Sequence, residues 1–314
     1  MMSRREIAAM RTIIAPHIRR TPVVDVGMET AREPVSLKLE TLQHTGSFKA
    51  RGAFANLVGA TVPPAGVTAA SGGNHGAAVA YAASVMGAAA RIFVPETSPS
   101  AKVARIRSYG AEVVVAGATY IEALALSERY AADSSALAVH AYDASPTIMG
   151  QATIALEFED ERPDLDTVLV AVGGGGLIAG VAAWYASGTK IVGVETEGCP
   201  TLAEALAAGR PVDVKPTGIA RDSLGASRLG DLSFEITSRH VRAAILVRDA
   251  DVELAQSWLW DKARVVAEPG GATAVAAMLS GVYRAQPGER VGVIVCGANV
   301  DLAGFARGLG DPPA

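Results

Sequence analysis

A lysine stands at position 49, just behind the polar turn Thr45-Gly46-Ser47 and Phe48, where Lys49-Ala50-Arg51-Gly52-Ala53 reads as the start of a helix. A lysine amine becomes a nucleophile or a base once its pKa falls, or once a carbonyl compound holds it as an imine. A helix N-terminus promotes the first outcome, because its unpaired N–H groups and dipole disfavour another positive charge. Read alone, Lys49 also fits a solvated helix-start lysine. Other stretches supply chemistry that a reactive lysine would need. Ala70-Ser71-Gly72-Gly73-Asn74-His75-Gly76 precedes an alanine-rich segment. Its glycines let the backbone approach a ligand, and the following helix offers N–H donors to an anion such as a carboxylate. The run over 167–172 leads into Gly173-Gly174-Gly175-Gly176 and then Leu177 to Val181. That is a buried strand, a glycine turn and a helix, the arrangement that cradles a phosphate. Finally, Val291 to Val295 reads as a buried strand delivering Cys296-Gly297-Ala298-Asn299 to a carboxyl edge, where open α/β sheets bind ligands.

Such groups need a frame, and the rest of the chain reads as one. Short β-like runs at 67–70, 90–94, 112–115, 167–172, 190–195 and 291–295 alternate with alanine-rich segments such as 120–132, 201–208 and 251–260. This alternation predicts an α/β protein with parallel sheets and crossover helices. The 314 residues suffice for one large or two ordinary domains with ample core. Half are hydrophobic and 19% charged, as in folded globular proteins. A net charge of −4 without a basic stripe excludes non-specific nucleic-acid binding. The apolar segment 77–94 is interrupted by Gly87 and Arg91, which makes it a buried helix plus strand and not a membrane span. Met1 to Glu6 lacks the apolar core of a signal peptide, so the cytoplasm is the expected compartment. Two cysteines, Cys199 and Cys296, make no disulfide framework, and the five histidines lack metal-binding spacing.

The four stretches, in this order and spacing, resemble the fold-type II family of pyridoxal-phosphate (PLP) enzymes, and within it the serine/threonine dehydratases and serine racemases. The resemblance runs over nearly the whole chain and includes Pro95, Pro99, Lys102 and Tyr109-Gly110-Ala111-Glu112. It implies a tryptophan synthase beta-like fold of two open, mostly parallel sheets, with the cofactor between two domains. The large domain would comprise 1–55 and 145–314, and a small mobile domain 56–144. It implies that Lys49 holds PLP as a Schiff base and then serves as base at Cα, with Phe48 beside the cofactor. Gly173 to Gly176 with Leu177 would bind the phosphate, Asn74 the ring oxygen, and Cys296 would face the pyridine nitrogen. Ser71, Gly72, Gly73 and His75 would shape the pocket for the substrate carboxylate, with Asp222, Ser223, Gly225 and Glu268 lining the site. A homodimer follows from the resemblance alone, and the feedback domain of biosynthetic threonine dehydratases has no counterpart in this chain.

Two competing readings remain on the residues. Gly174-Gly175-Gly176-Leu177-Ile178-Ala179 also fits a dinucleotide fingerprint, and Glu195 stands where its ribose-binding acid would. A nicotinamide dehydrogenase would leave Lys49, Asn74 and Cys296 without a role, and a non-catalytic scaffold would not need to retain them. Between elimination and racemisation, the expectation is elimination. Serine racemases place a hydroxyl two residues before the Asn, where this chain has Gly72. The expected reaction converts L-threonine or L-serine to 2-oxobutyrate or pyruvate and ammonia. The alternatives are a racemase of serine or another amino acid, and a dehydratase of another 3-hydroxy amino acid such as 3-hydroxyaspartate or a bulkier one. Some relatives hold Mg²⁺ or Ca²⁺ with an acid and an aspartate six residues later. Here Glu195 is followed at that spacing by Thr201, so no metal is expected.

Overall fold

Runs of Val, Ile and Ala that are apolar on both faces demand cover on both faces, which parallel strands with helical crossovers provide. The computed structural model, which describes residues 2–186 and 188–309, sorts these runs into two sheets. The six-stranded sheet has the order β1 (Val23–Val26), β2 (Val35–Leu39), β10 (Val291–Val295), β7 (Thr167–Ala171), β8 (Lys190–Thr196) and β9 (Val241–Val247). Only the β1–β2 pairing at its edge is antiparallel. The four-stranded sheet, β5 (Glu112–Val115), β4 (Ala90–Val94), β3 (Val67–Ala70) and β6 (Leu137–Ala138), is parallel throughout. The helices are α1 (Arg4–Ile14), α2 (Lys49–Val58), α3 (Asn74–Val85), α4 (Ser100–Ser108), α5 (Tyr120–Ser134), α6 (Ser145–Glu161) and α7 (Gly176–Tyr185). They continue with α8 (Thr201–Ala208), α9 (Arg221–Leu224), α10 (Asp231–His240), α11 (Asp249–Ala263), α12 (Pro269–Leu279) and α13 (Leu302–Gly308). Among the described residues no helix is long and apolar enough to cross a membrane.

The expected strands all form, and four others do as well. β2, Val-Ser-Leu-Lys-Leu, is wholly buried despite carrying Ser36 and Lys38. Lys38 is tolerated there because its Nζ reaches the Thr21 carbonyl at 2.7 Å, Glu161 at 3.2 Å and Glu157 at 3.5 Å. β1 and β9 carry exposed or half-buried residues, and β6 is only two residues long.

The apolar core is correspondingly split. One cluster surrounds the six-stranded sheet, and a second joins the four-stranded sheet to α1 and α2. Helix α2 packs on both α3 and α6, so the small lobe expected to start at residue 56 starts inside a helix shared by both halves.

What fixes α2 is a buried charge. Arg51 is fully buried and grips two buried carboxylates: Nη2 and Nε meet Glu40 at 2.7 and 2.8 Å, and Nη2 and Nη1 meet Glu157 at 2.8 and 3.0 Å. Both contacts use the planar fork that lysine lacks. Removing the cation would leave the buried Glu40 carboxylate without its cation and Glu157 with only Arg11 and Lys38. Arg51→Met is therefore expected to lower unfolding stability by about 3–5 kcal/mol in denaturant titrations, and a loss under about 1 kcal/mol would show that the cluster does not hold α2.

Candidate active site

Two backbone straps position Lys49. Phe48 N–H donates to the Cys296 carbonyl at 3.1 Å, Ala298 N–H donates to the Gly46 carbonyl at 2.9 Å, and Ser47 forms an antiparallel bridge with Gly297. The Lys49 turn is thereby laid along the exit of β10. Thr45 (φ 60) and Gly46 (φ 70) turn the chain into that position through left-handed backbone. The Lys49 amine lies 5.0 Å from the Phe48 ring centre and donates to the Ala141 carbonyl at 2.7 Å. Burial lowers its pKa to about 8, against the opposing influence of Cys296 and Glu268. An amine in that range exchanges protons near neutral pH. Cys296 is buried, and its thiol donates to the Gly270 carbonyl at 3.4 Å. Burial raises its pKa further, so it stays a neutral thiol.

The glycine loop follows β7 and opens α7, whose first N–H groups have no carbonyl of their own helix to bond. Gly175 has φ 92, which an L side chain rarely adopts. A Cβ at Gly174 would lie 2.3 Å from the Tyr142 ring, and one at Gly176 would lie 2.7 Å from the Tyr142 carbonyl. The loop is thus packed so closely on Tyr142 that side chains at Gly174 and Gly176 would clash. Against Gly175 lies Ser233, whose buried hydroxyl has no hydrogen-bond partner among the described residues. An oxyanion at this helix start would meet N–H donors and that hydroxyl.

Across the cleft, Asn74 opens α3. Its Nδ2 donates to Glu268 Oε1, and its Oδ1 accepts from Asn299 Nδ2 at 2.6 Å. Ser71 Oγ accepts from Gly73 N–H at 3.1 Å. A Cβ at Gly72 would fall 2.5 Å from the Ser98 hydroxyl. The His75 side chain is turned away from the cleft: Nε2 donates to the Val139 carbonyl at 2.9 Å, and burial, aided by Lys49, lowers its pKa to about 3. Gly72, Gly73, Asn74 and Glu268 border a cavity of about 1030 Å³ that is also lined by Ile219, Val300, Leu302 and Phe305.

The structure therefore gathers Lys49, Phe48 and Cys296 on one strap, Ser71 to Asn74 at one helix start, and Gly173 to Leu177 at another. Of the other residues expected to line the site, Ser223 accepts from Gly270 N–H at 2.9 Å, and Asp222 pairs with Lys102. Glu195 has no free oxygen: it accepts from Thr201 Oγ1 at 2.9 Å, Leu202 N–H at 2.7 Å and Ala203 N–H at 2.9 Å, capping α8. Thr201 Oγ1 also reaches the Gly173 carbonyl at 2.5 Å. Among the described residues no group of three or more His, Cys, Asp or Glu could hold a metal ion. Sequence reasoning missed the stretch from Val139 to Asp143. It supplies the acceptors for His75 and Lys49, the ring against Gly174, and the Asp143 carboxylate that caps α10 through Asp231 and Ser233 N–H. No motif marks it, because most of its contribution comes from backbone carbonyls.

Comparison with known proteins agrees with this arrangement. Residues 14–297 match the family described as pyridoxal-phosphate dependent enzyme. The chain belongs to that family. It is 38% identical to phenylserine dehydratase of Ralstonia pickettii, covering 97% of this chain and 95% of that one. It is 36% identical to L-threonine ammonia-lyase of Thermotoga maritima, covering 85% of this chain and 68% of that one. Among solved structures, maize serine racemase superposes with a TM-score of 0.92 at 32% identity, covering 97% and 96% of the two chains. The two-sheet fold is the tryptophan synthase beta-like fold of this family, and PLP is the cofactor.

Glu268 is the group whose burial is most easily tested. It is 5% exposed, and burial raises its pKa to about 7, with the Asn74 hydrogen bond opposing. A raised carboxyl pKa contributes stability that is present at low pH and lost as pH rises toward the folded value. The stability of the natural protein relative to Glu268→Gln should therefore fall between about pH 4.5 and 7 in thermal melts. A difference that stayed flat or grew with pH would show that Glu268 ionises freely in the folded protein.

Proposed function

We propose that this chain is a PLP-dependent dehydratase, an ammonia-lyase that converts L-threonine or L-serine to 2-oxobutyrate or pyruvate and ammonia. The observation that carries this reading is the pairing of a weakly basic Lys49 amine with a neutral Cys296 thiol on one strap. When bound, PLP supplies the electron sink that makes the Cα proton removable. Lys49 anchors the cofactor through Nζ and, once free, accepts the Cα proton at that atom. With PLP bound, the N–H groups of Gly173 to Leu177 would hold the phosphate, Asn74 would orient the ring through the ring's oxygen, and Phe48 would pack beside it. Cys296, a neutral group, would stand toward the pyridine nitrogen, could not hold a positive charge there, and so would favour prompt loss of the β-hydroxyl over longer-lived alternatives. Ser71, Gly72, Gly73 and the backbone of His75 receive the substrate carboxylate at the α3 start.

The cavity bears on the substrate's side chain. Its cations are already engaged: Lys102 pairs with Asp222, and Arg105 donates to Asn299 and to the Thr45 carbonyl. A second carboxylate, as in 3-hydroxyaspartate, would have to compete with these partners for both cations. The apolar wall at Ile219, Leu302 and Phe305 favours a second reading, that the substituent is larger than methyl. The phenylserine dehydratase at 38% identity accords with it. On the same proposal, the 56–144 lobe closes over the cofactor, and the enzyme works in the cytoplasm as a homodimer.

The test is chirally resolved product analysis after the PLP-loaded protein meets L-serine, L-threonine and phenylserine separately. Keto acid and ammonia with little D-serine are expected, and the rates rank the substrates. D-serine as the main product, or no product from any of the three, would contradict the proposal. Gly72→Ser is expected to raise racemisation relative to elimination. Because its Cβ would crowd the Ser98 hydroxyl, it belongs with Ser98→Ala, which clears that space.

A further inference from the structure

Asn74 carries a side-chain amide, and an amide can present either N–H or C=O to the same neighbour. Which face it turns to the cofactor therefore has to be decided by something else. A chain of hydrogen bonds ending in groups with only one possible role does so. At its far end the Arg105 guanidinium, which can only donate, bonds Asn299 Oδ1. The Thr45 carbonyl, which can only accept, takes Asn299 Nδ2 at 2.9 Å. Asn299 thus has one orientation, with Nδ2 directed at Asn74 Oδ1 at 2.6 Å. That contact makes Asn74 present its Nδ2, one N–H of which goes to Glu268 Oε1. One N–H of Asn74 is left over.

The chain is tightly seated. A Cβ at Gly46 would lie 2.6 Å from Asn299 Oδ1, and one at Gly297 would lie 2.1 Å from Glu268 Oε1 and 3.4 Å from Asn74 Nδ2. Arg105 and Asn74 belong to helices beside the four-stranded sheet, whereas Thr45, Glu268 and Asn299 follow the strands and straps of the six-stranded one. The relay therefore spans the two halves.

We propose that Asn299 and Glu268 are positioning residues which, with Arg105 setting the polarity, lock the Asn74 amide so that its remaining N–H faces the ring oxygen of PLP. The proposal rests on the cofactor being anchored at Lys49 and is independent of which amino acid is consumed.

The test uses the visible band of the PLP-loaded protein and the pH midpoint at which it changes, neither of which requires turnover. Asn74→Ala defines the shift that follows loss of the Asn74 contact, about one pH unit for one hydrogen bond. Asn299→Asp offers only acceptors to Asn74, turns the amide over, and should move the midpoint in the same direction by a comparable amount. Arg105→Gln, which leaves the Thr45 carbonyl as the main constraint on the Asn299 orientation, should move it part of the way. Glu268→Gln retains an acceptor oxygen and should move it least. In the Asn74→Ala background, Asn299→Asp should add nothing, because the two act through one contact. A natural protein without a visible band would refute the cofactor placement and the proposal with it. A normal band that neither Asn299→Asp nor Arg105→Gln moves, or shifts that add in the double variant, would refute the positioning roles while leaving the dehydratase reading intact.

Discussion

A guanidinium wholly removed from water must be neutralised where it sits, and in this protein that demand falls two residues beyond Lys49. Arg51 is answered by Glu40 at the exit of β2 and by Glu157 on α6, with Thr153 Oγ1 at 3.2 Å completing the set. Glu157 is in turn held low by Arg51 and by the nearby Lys38 and Arg11 cations, against the cost of its burial. Such a cluster gains little as a source of net stability, since each ion pays for leaving water, yet it has few alternative arrangements. It fixes the first turn of α2 against a sheet strand and a second helix. The strap from Gly46 to Phe48 then needs only its bonds to Cys296 and Ala298 to bring the Lys49 amine to one place.

Around that amine, burial outweighs every other influence on the titratable groups. It lowers Lys49 to about 8, lowers His75 to about 3, raises Glu268 to about 7 and raises the Cys296 thiol. Desolvation always disfavours the charged form, so acids and bases move toward one another and toward neutrality. Within this weakly charged cleft, fixed positive potential comes from backbone N–H groups at the starts of α3 and α7. That division suits an anionic cofactor and substrate, held by dipoles that do not titrate, next to side chains able to move a proton near neutral pH.

The parts of the fold that were legible in the sequence are those where one residue type has one physical use. Tetraglycine after a run of β-branched residues announces a cradle, and the strands at 67–70, 90–94, 112–115 and 291–295 appear with the bounds their apolar runs suggested. The strand carrying Lys38 was illegible because a buried lysine only makes sense once Glu157 and Glu161, more than a hundred residues away, are beside it. The hydrogen bonds that Glu268 and Asn299 make to Asn74 were illegible for the same reason, since they reach across 194 and 225 positions of sequence. Ala141 and Val139 act through carbonyl oxygens that every residue possesses. His75 shows the converse: the motif marks the residue, but the partner its imidazole takes, the Val139 carbonyl, is not marked by any side chain.

The central claim is that the Lys49 amine is where PLP is held. Reducing the PLP-loaded protein with borohydride, digesting it and locating the pyridoxyl-modified lysine by mass spectrometry tests this without any assumption about substrate. The account predicts the modification on Lys49, and its loss together with the visible band in Lys49→Ala. A modified Lys38 or Lys102 in place of Lys49, or an unmodified chain with a full visible band, would contradict it.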